Sequence, residues 1–173
     1  ADWKNTSYKE TERIRQRFLT ECFKTGSGKM TKQYQRINEQ LKSLMEDVDY
    51  DITNYANASA LLFQSLKEIN WAGFYFLQGD TLLLGPFQGK TACTKIKAGK
   101  GVCGTAVATD QVQRIADVHQ FPGHIACDSA SRSEIVIPLH RNGTVIGVLD
   151  IDSPIENRFQ EEDEEGLRAF AEI

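Results

Sequence analysis

From Thr31 to Val48 the apolar residues Tyr34, Ile37, Leu41, Leu44 and Met45 recur three and four positions apart, which predicts an amphipathic helix. A second helix is expected from Asp51 or Thr53 to about Lys67, with Tyr55, Ala58, Ala60, Leu62, Phe63 and Leu66 as its apolar positions. Asp51 and Thr53 are both candidate N-caps. The pattern then changes to strands. Trp71–Leu77 is rich in aromatics, Gln78-Gly79-Asp80 reads as a turn, and Thr81–Phe87 is a second run, so a hairpin is predicted. Gly85-Pro86 interrupts the second strand and predicts an edge or a bend. Between Gly89 and Gly104 no period emerges, and mostly loop is expected, followed by a short helix from Thr105 to Ala108. Val112–Ile115 reads as a short strand and Asp117–Arg132 as a long loop containing Pro122-Gly123. A loop of that length inside a compact domain usually carries function. Ser133–Leu139, Arg141-Asn142-Gly143 and Thr144–Asp152 form the clearest hairpin signal. Phe159 to Ile173 reads as an acidic helix inside which the chain stops.

Because the strongest strands are hairpin neighbours, the sheet is expected to be mainly antiparallel. The fold class is α+β, with helices on one face and long loops over the other. The 173 residues, 40% hydrophobic and 25% charged, suffice for one domain with a real core. A net charge of -4 gives no basic excess, so no nucleic-acid partner is expected. No apolar run is long enough to span a membrane, and the N-terminal stretch lacks the apolar core of a secretory signal. A cytoplasmic location is therefore expected, with the cysteines as thiols and not as a disulfide framework.

Residues 1–29 stand apart. They hold seven Lys/Arg and four Asp/Glu, for +3, which leaves -7 for the remainder. Ile14, Phe18 and Cys22 share one helical stripe, and Gly26-Ser27-Gly28 forms a flexible seam before Met30. The segment reads as a basic helix or as a fused peptide, and residues 30–173 as the functional domain.

Candidate chemistry lies with thiols and carboxylates. Cys93, Cys103 and Cys127 fall in one third of the chain without any C-x-x-C pair. A zinc site using His124 is arithmetically open but lacks the tight ligand pairs of structural zinc. Buried cysteine as a small hydrophobe is the plainer reading for one of them and fits three in loop-like sequence less well. Asp150 and Asp152 share a strand face with Ile146 and Val148. Either the strand ends at Leu149 and both acids are solvated, or they continue an apolar stripe. Register decides whether Glu134 joins them. A two-residue Asn142-Gly143 loop pairs Glu134 with Ile151, on the other face. A type I turn with a bulge at Gly143 pairs it with Asp150. Three clustered acids would bind a cation or an ammonium group, or keep one acid protonated as a donor. Trp71, Phe74, Tyr75 and Phe76 suit a core, or a ring wall beside that cluster.

Several of these segments resemble one family. Asn70-Trp71-Ala72-Gly73-Phe74-Tyr75, the stretch from Leu84 to Lys90 with Ala92-Cys93, Gly99-Lys100-Gly101-Val102-Cys103-Gly104, the stretch from Phe121 to Asp128, and Ile146 to Asp152 are similar to the free methionine-(R)-sulfoxide reductases. The resemblance runs from about Thr31 to the C-terminus. It implies a GAF-like fold, with a ligand pocket in front of the sheet, and reduction of free methionine (R)-sulfoxide. It implies Cys127 as the nucleophile, Cys93 as the resolving thiol and Cys103 as a third thiol that resolves or relays. It further implies Glu134, Asp150 and Asp152 as substrate-binding acids, Trp71 and Tyr75 as the pocket wall, and a Cys93–Cys127 disulfide in the oxidised state. No cofactor and no metal are implied. The partners are the free amino acid and a thioredoxin-type reductant, with a homodimer compatible. The alternative from another class is a non-catalytic GAF sensor that binds a small ligand, which leaves the three thiols and the acids idle.

Overall fold

The computed structural model describes residues 30–123 and 129–173. The stripe expected at Ile14, Phe18 and Cys22, together with His124 and Cys127, lies outside the described residues. Helices α1 (Lys32–Met45) and α2 (Asp51–Ser65) lead into strands β1 (Trp71–Gln78), β2 (Thr81–Gly89) and β3 (Lys95–Lys97). Helix α3 (Gly101–Thr109), strand β4 (Gln113–Ile115), a short 3-10 turn (Val118–Gln120), strands β5 (Ser133–Arg141) and β6 (Thr144–Ser153), and helix α4 (Glu161–Ala171) complete the chain. The α+β class is as expected. The six strands lie in the order β3-β2-β1-β6-β5-β4, every pairing antiparallel. No helix among the described residues is long and apolar enough to cross a membrane.

The sheet divides the interior in two. One face presents Ala72, Phe74, Ile135, Ile137, Leu139, Leu149 and Ile151 to α1, α2 and α4, making the larger core. The other presents Trp71, Tyr75, Val136 and Val148 to Val102, Cys103 and Ala106 of α3, with Leu82 and Ile96 alongside. This split follows from the two-residue period of strands. It sends Trp71 and Tyr75 to one side and Phe74 and Phe76 to the other, where Tyr55 packs on both phenylalanine rings.

Helix α1 begins at Thr31, whose hydroxyl accepts from the Tyr34 amide. Helix α2 corrects the N-cap expectation. Tyr50 occupies that position, and Asp51 is the first helical residue, where its charge meets the helix N-terminus and the Arg141 guanidinium at 2.8 Å. Its buried side is Ala58, Ser59, Leu61 and Leu62, while Phe63 is exposed. Gly85-Pro86 does bend β2. The β1–β2 register shifts between Gly73 and Tyr75, so two residues oppose Phe74.

The larger correction concerns the glycine-rich stretch, expected as loose loop. It holds β3 and the first four residues of α3, which starts four residues earlier than anticipated. Gly101 has φ +60°, and a Cβ on Gly104 would strike the Lys97 carbonyl. The glycines here allow a helix to sit tightly against β3 rather than loosening the backbone. Only the first turn of α3 was hidden, because glycines at 101 and 104 leave no apolar period there.

Helix α4 crosses α1 at Gly166, where the Tyr34 ring covers the glycine. That ring is fixed, since its hydroxyl donates to Asp163 at 2.7 Å and Asp163 also accepts from Arg158 and from the Gln160 amide. A methyl at 166 has no room. Gly166→Ala should destabilise the fold by about 1–3 kcal/mol despite its better helix propensity. Thermal unfolding should show a midpoint lower by roughly 2–4 °C for each kcal/mol lost; an unchanged midpoint would refute the close crossing.

Candidate active site

The site is built on the α3 side of the sheet, where β5, β6 and β1 are neighbours. Asn142 and Gly143 both have positive φ, +53° and +75°, and link Arg141 to Thr144 as a two-residue hairpin turn. By itself this turn would pair Glu134 with Ile151. A register shift between Leu139 and His140, with Leu139 opposite Gly147 and His140 opposite Val145, adds one residue at Ile146. Glu134 therefore pairs with Asp152, and Val136 with Asp150. This matches neither of the two pairings the sequence left open, with Ile151 or with Asp150. The bulge lies in β6, not at Gly143. The face is nonetheless the one the acid cluster requires, because a single-residue bulge restores what the tight turn alone would reverse.

Glu134 and Asp150 are each 6% exposed, and Cys103 is 4% exposed. The strand does not end at Leu149, so these acids are not solvated. The Cys103 thiol donates to Glu134 Oε1 at 3.8 Å, and the polar atoms of Cys103, Glu134 and Asp150 all lie within 4.8 Å of one another. Asp150 Oδ1 is buried without a hydrogen-bond partner among the described residues. Electrostatics follow from this dryness. Burial first, then the charges of Asp150 and Asp152, push the Glu134 carboxyl well above its ordinary value. Burial raises Asp150 to about 6, against relief from hydrogen bonding to Cys103 and Glu134. Burial, then the charges of Asp150 and Glu134, push the Cys103 thiol up, which favours its neutral, proton-donating form. The cluster thus holds protons and has an acceptor facing inward. It can hand a proton to a polar oxygen or take an ammonium group. Thiol and carboxylates are also donors that suit a divalent cation.

The wall is aromatic. Trp71 stacks on Tyr75 at 5.9 Å and on Phe87 at 5.2 Å between centroids. Gly73, between the first two, has no space for a side chain, because a Cβ there would meet Phe87 and Trp71. Trp71 Nε1 donates to the Lys90 carbonyl at 3.1 Å, and the Tyr75 hydroxyl donates to the Cys93 carbonyl at 3.0 Å. Cys93 is disulfide-bonded and Cys103 is free. The partner of Cys93 lies outside the described residues. Cys93 and Cys103 therefore play different parts, and a zinc site needing both as thiolates does not match this state. The structure thus brings Trp71, Tyr75, Glu134, Asp150 and Cys103 together, with Asp152 on the same face and Cys93 tethered at the edge. Sequence reasoning missed Phe87 and the helical setting of Cys103. It also missed Asn70, whose amide nitrogen donates to Ser131 and ties the start of β1 to the segment preceding β5. The Gly85-Pro86 bend was the available signal for Phe87, since it changes which residue of β2 meets Trp71.

A family model for the GAF domain matches residues 36–173. The chain is 59% identical over 138 residues to the free methionine-R-sulfoxide reductase of Escherichia coli (strain K12), covering 80% of this chain and 84% of that protein. It is 58% identical over 148 residues to protein YtsP of Bacillus subtilis (strain 168), covering 84% of this chain and 91% of that one. Among solved structures, fRMsr of Staphylococcus aureus in complex with substrate superposes with a TM-score of 0.77 at 50% identity, over 85% of this chain and 95% of that one.

The buried acids make stability depend on pH. Asp150 titrates at about 6 when folded against an ordinary 3.8, so within that window the folded state keeps a proton that the unfolded chain releases. Stability contributed by this site falls as pH rises through the window, and Glu134, also raised well above its ordinary value, adds to the loss. Urea midpoints at pH 5 and pH 7.5 should show this decline. Glu134→Gln removes one of the titrating groups and should flatten the slope and raise the midpoint at pH 7.5. An identical slope in the variant would contradict the assignment.

Proposed function

The chain belongs to the free methionine-(R)-sulfoxide reductase family of GAF domains, and on that basis we propose that it reduces free methionine (R)-sulfoxide to methionine by thiol chemistry. The observation that carries this reading is the dry cluster of Cys103, Glu134 and Asp150 beside an aromatic wall and a disulfide-bonded Cys93.

The residues divide the reaction between them. The aromatic pair Trp71 and Tyr75 gives the substrate's apolar side chain a surface, while Glu134, Asp150 and Asp152 face its polar groups. Cys127 attacks the sulfoxide sulfur. The sulfoxide oxygen gains a proton as its bond to sulfur weakens, and a carboxyl kept neutral by burial supplies it. Methionine leaves and Cys127 holds the oxygen as a sulfenic acid. The Cys93 thiol then displaces that oxygen as water and forms the Cys93–Cys127 disulfide, which a thioredoxin-type dithiol reduces. The bonded state of Cys93, with Cys103 free, supports this pairing over Cys103–Cys127. Cys103 relays in this scheme: its hydrogen bond to Glu134 keeps a proton within the cluster. The acids also set selectivity. Free methionine sulfoxide brings an ammonium that offsets their charge, whereas a residue within a peptide has none.

Thiol titration tests the scheme directly. Adding free methionine (R)-sulfoxide to the reduced protein without reductant should remove two thiols and release one methionine, whereas a ligand sensor would lose none. Cys127→Ser should form no methionine, while Cys93→Ser should form one equivalent and stall; a full turnover by Cys127→Ser would transfer the nucleophile role elsewhere.

Selectivity has its own test. A charge-assisted hydrogen bond contributes on the order of 1.5–3 kcal/mol. Asp152→Asn should therefore weaken affinity for the free amino acid about tenfold or more and affect an N-acetylated analogue much less. Equal losses on both would assign Asp152 to proton transfer or folding.

A further inference from the structure

The hydroxyl of Tyr75 is more than part of the wall. Its ring, 2% exposed, fills the surface between Trp71 and the acid cluster, and a phenylalanine would fill that surface equally. What the hydroxyl adds is one bond, 3.0 Å to the backbone carbonyl of Cys93. Cys93 lies between β2 and β3, in a stretch without regular structure, where backbone pairing does not fix position. Besides the Cys93 disulfide, three backbone carbonyls of the stretch are held by hydrogen bonds from the described residues. Trp71 Nε1 holds the Lys90 carbonyl at 3.1 Å, Tyr75 holds that of Cys93, and the Leu84 amide holds that of Thr94 at 3.2 Å. Two of these three ties come from the rings that line the substrate side. Burial, with the nearby acids, keeps the Tyr75 phenol protonated, so it remains a donor at working pH.

We propose that Tyr75 is a positioning residue for the second half of the cycle, holding the Cys93 backbone so that its sulfur reaches the oxidised nucleophile. The inference rests on the reading of Cys93 as the resolving thiol. In the step concerned, the Cys93 sulfur bonds to the Cys127 sulfur as the Cys127 sulfur–oxygen bond breaks. The hydroxyl leaves with the Cys93 proton as water, so the sulfenic sulfur is reduced and the thiol oxidised, with no outside reagent. Tyr75 enters neither bond. It limits where Cys93 can be, which matters because a sulfenic acid that waits is open to further oxidation. The same wall thus serves two steps: its faces meet the substrate, and its polar edges hold the thiol that finishes the turnover.

The experiment is a single turnover of the reduced full chain with free methionine (R)-sulfoxide, without reductant. It follows methionine release, disulfide formation by thiol loss, and sulfenic acid trapped by dimedone and located by peptide mass. For Tyr75→Phe, whatever the rate of methionine release, the disulfide-forming step that follows it should be the one that slows most. Disulfide formation should slow roughly three- to tenfold, the equivalent of one neutral hydrogen bond, and the dimedone adduct should accumulate on Cys127. Cys93→Ser is run in parallel and should form no disulfide. If Cys93→Ser blocks the disulfide but Tyr75→Phe forms it at the wild-type rate, the positioning role is refuted and the resolving role stands. If Tyr75→Phe slows methionine release as much as or more than disulfide formation, with no dimedone adduct accumulating, the hydroxyl serves the sulfoxide step and the proposal is likewise refuted. If Cys93→Ser forms its disulfide normally, the resolving assignment fails and the proposal fails with it.

Discussion

Two carboxyls taken out of water on one face of the sheet are the constraint from which the rest of the site follows. A buried carboxylate without compensation is costly, so the pair Glu134 and Asp150 retains protons at pH values where exposed acids have lost them. Cys103 stays a neutral thiol for the same reason, since a third negative charge in that space would be worse. A site in this condition is poised for a ligand that brings a positive group and an oxygen needing a proton. Free methionine sulfoxide is such a molecule. The energy stored in unrelieved desolvation lowers the stability of the empty fold and is returned when the ligand binds.

The sheet makes this tolerable by separating duties. Its α1, α2 and α4 face is predominantly apolar, with Leu149 and Ile151 in one cluster with Leu62 and Leu167, all fully buried. The tight crossing at Gly166 and the Tyr34–Asp163 bond lock that layer together. The opposite face is smaller. There Val136 and Val148 form an apolar floor, and α3 seals it from above. Stability and chemistry therefore occupy different sides of the same strands, and each strand contributes alternate residues to both.

Coupling between substrate wall and redox thiols arises from polar edges on apolar rings. Trp and Tyr are the two aromatic side chains whose rims donate hydrogen bonds. Here both rims reach backbone carbonyls of the stretch carrying Cys93. The arrangement links a binding surface and a thiol that are adjacent in space and separated by about a hairpin in sequence.

Much of this was legible in the chain itself. Period-two alternation put Asp150 with Asp152, because side-chain direction in a strand is local geometry; the same rule separates Trp71 and Tyr75 from Phe74, although the aromatic run reads as one group in the sequence. The Gly85-Pro86 bend and the Asn142-Gly143 turn were readable for the same reason: the backbone conformations they favour belong to the residues alone. The family resemblance implied roles for the three thiols and the acids; of these the structure brings Cys103, Glu134 and Asp150 together, while Cys127 lies outside the described residues. Tertiary structure alone decided the remainder. Whether Glu134 faced the aspartates hung on one extra residue at Ile146, and no local preference in β6 announces a bulge there. Whether Gly99–Gly104 was loop or helix depended on the close approach of Gly104 to the Lys97 carbonyl, a contact between elements. The protonation of Cys103, Glu134 and Asp150 depended on burial beneath α3, and dielectric surroundings belong to the packed molecule. Sequence sets which groups are available and which way each points along its strand; packing sets which of them meet and how dry the meeting place is.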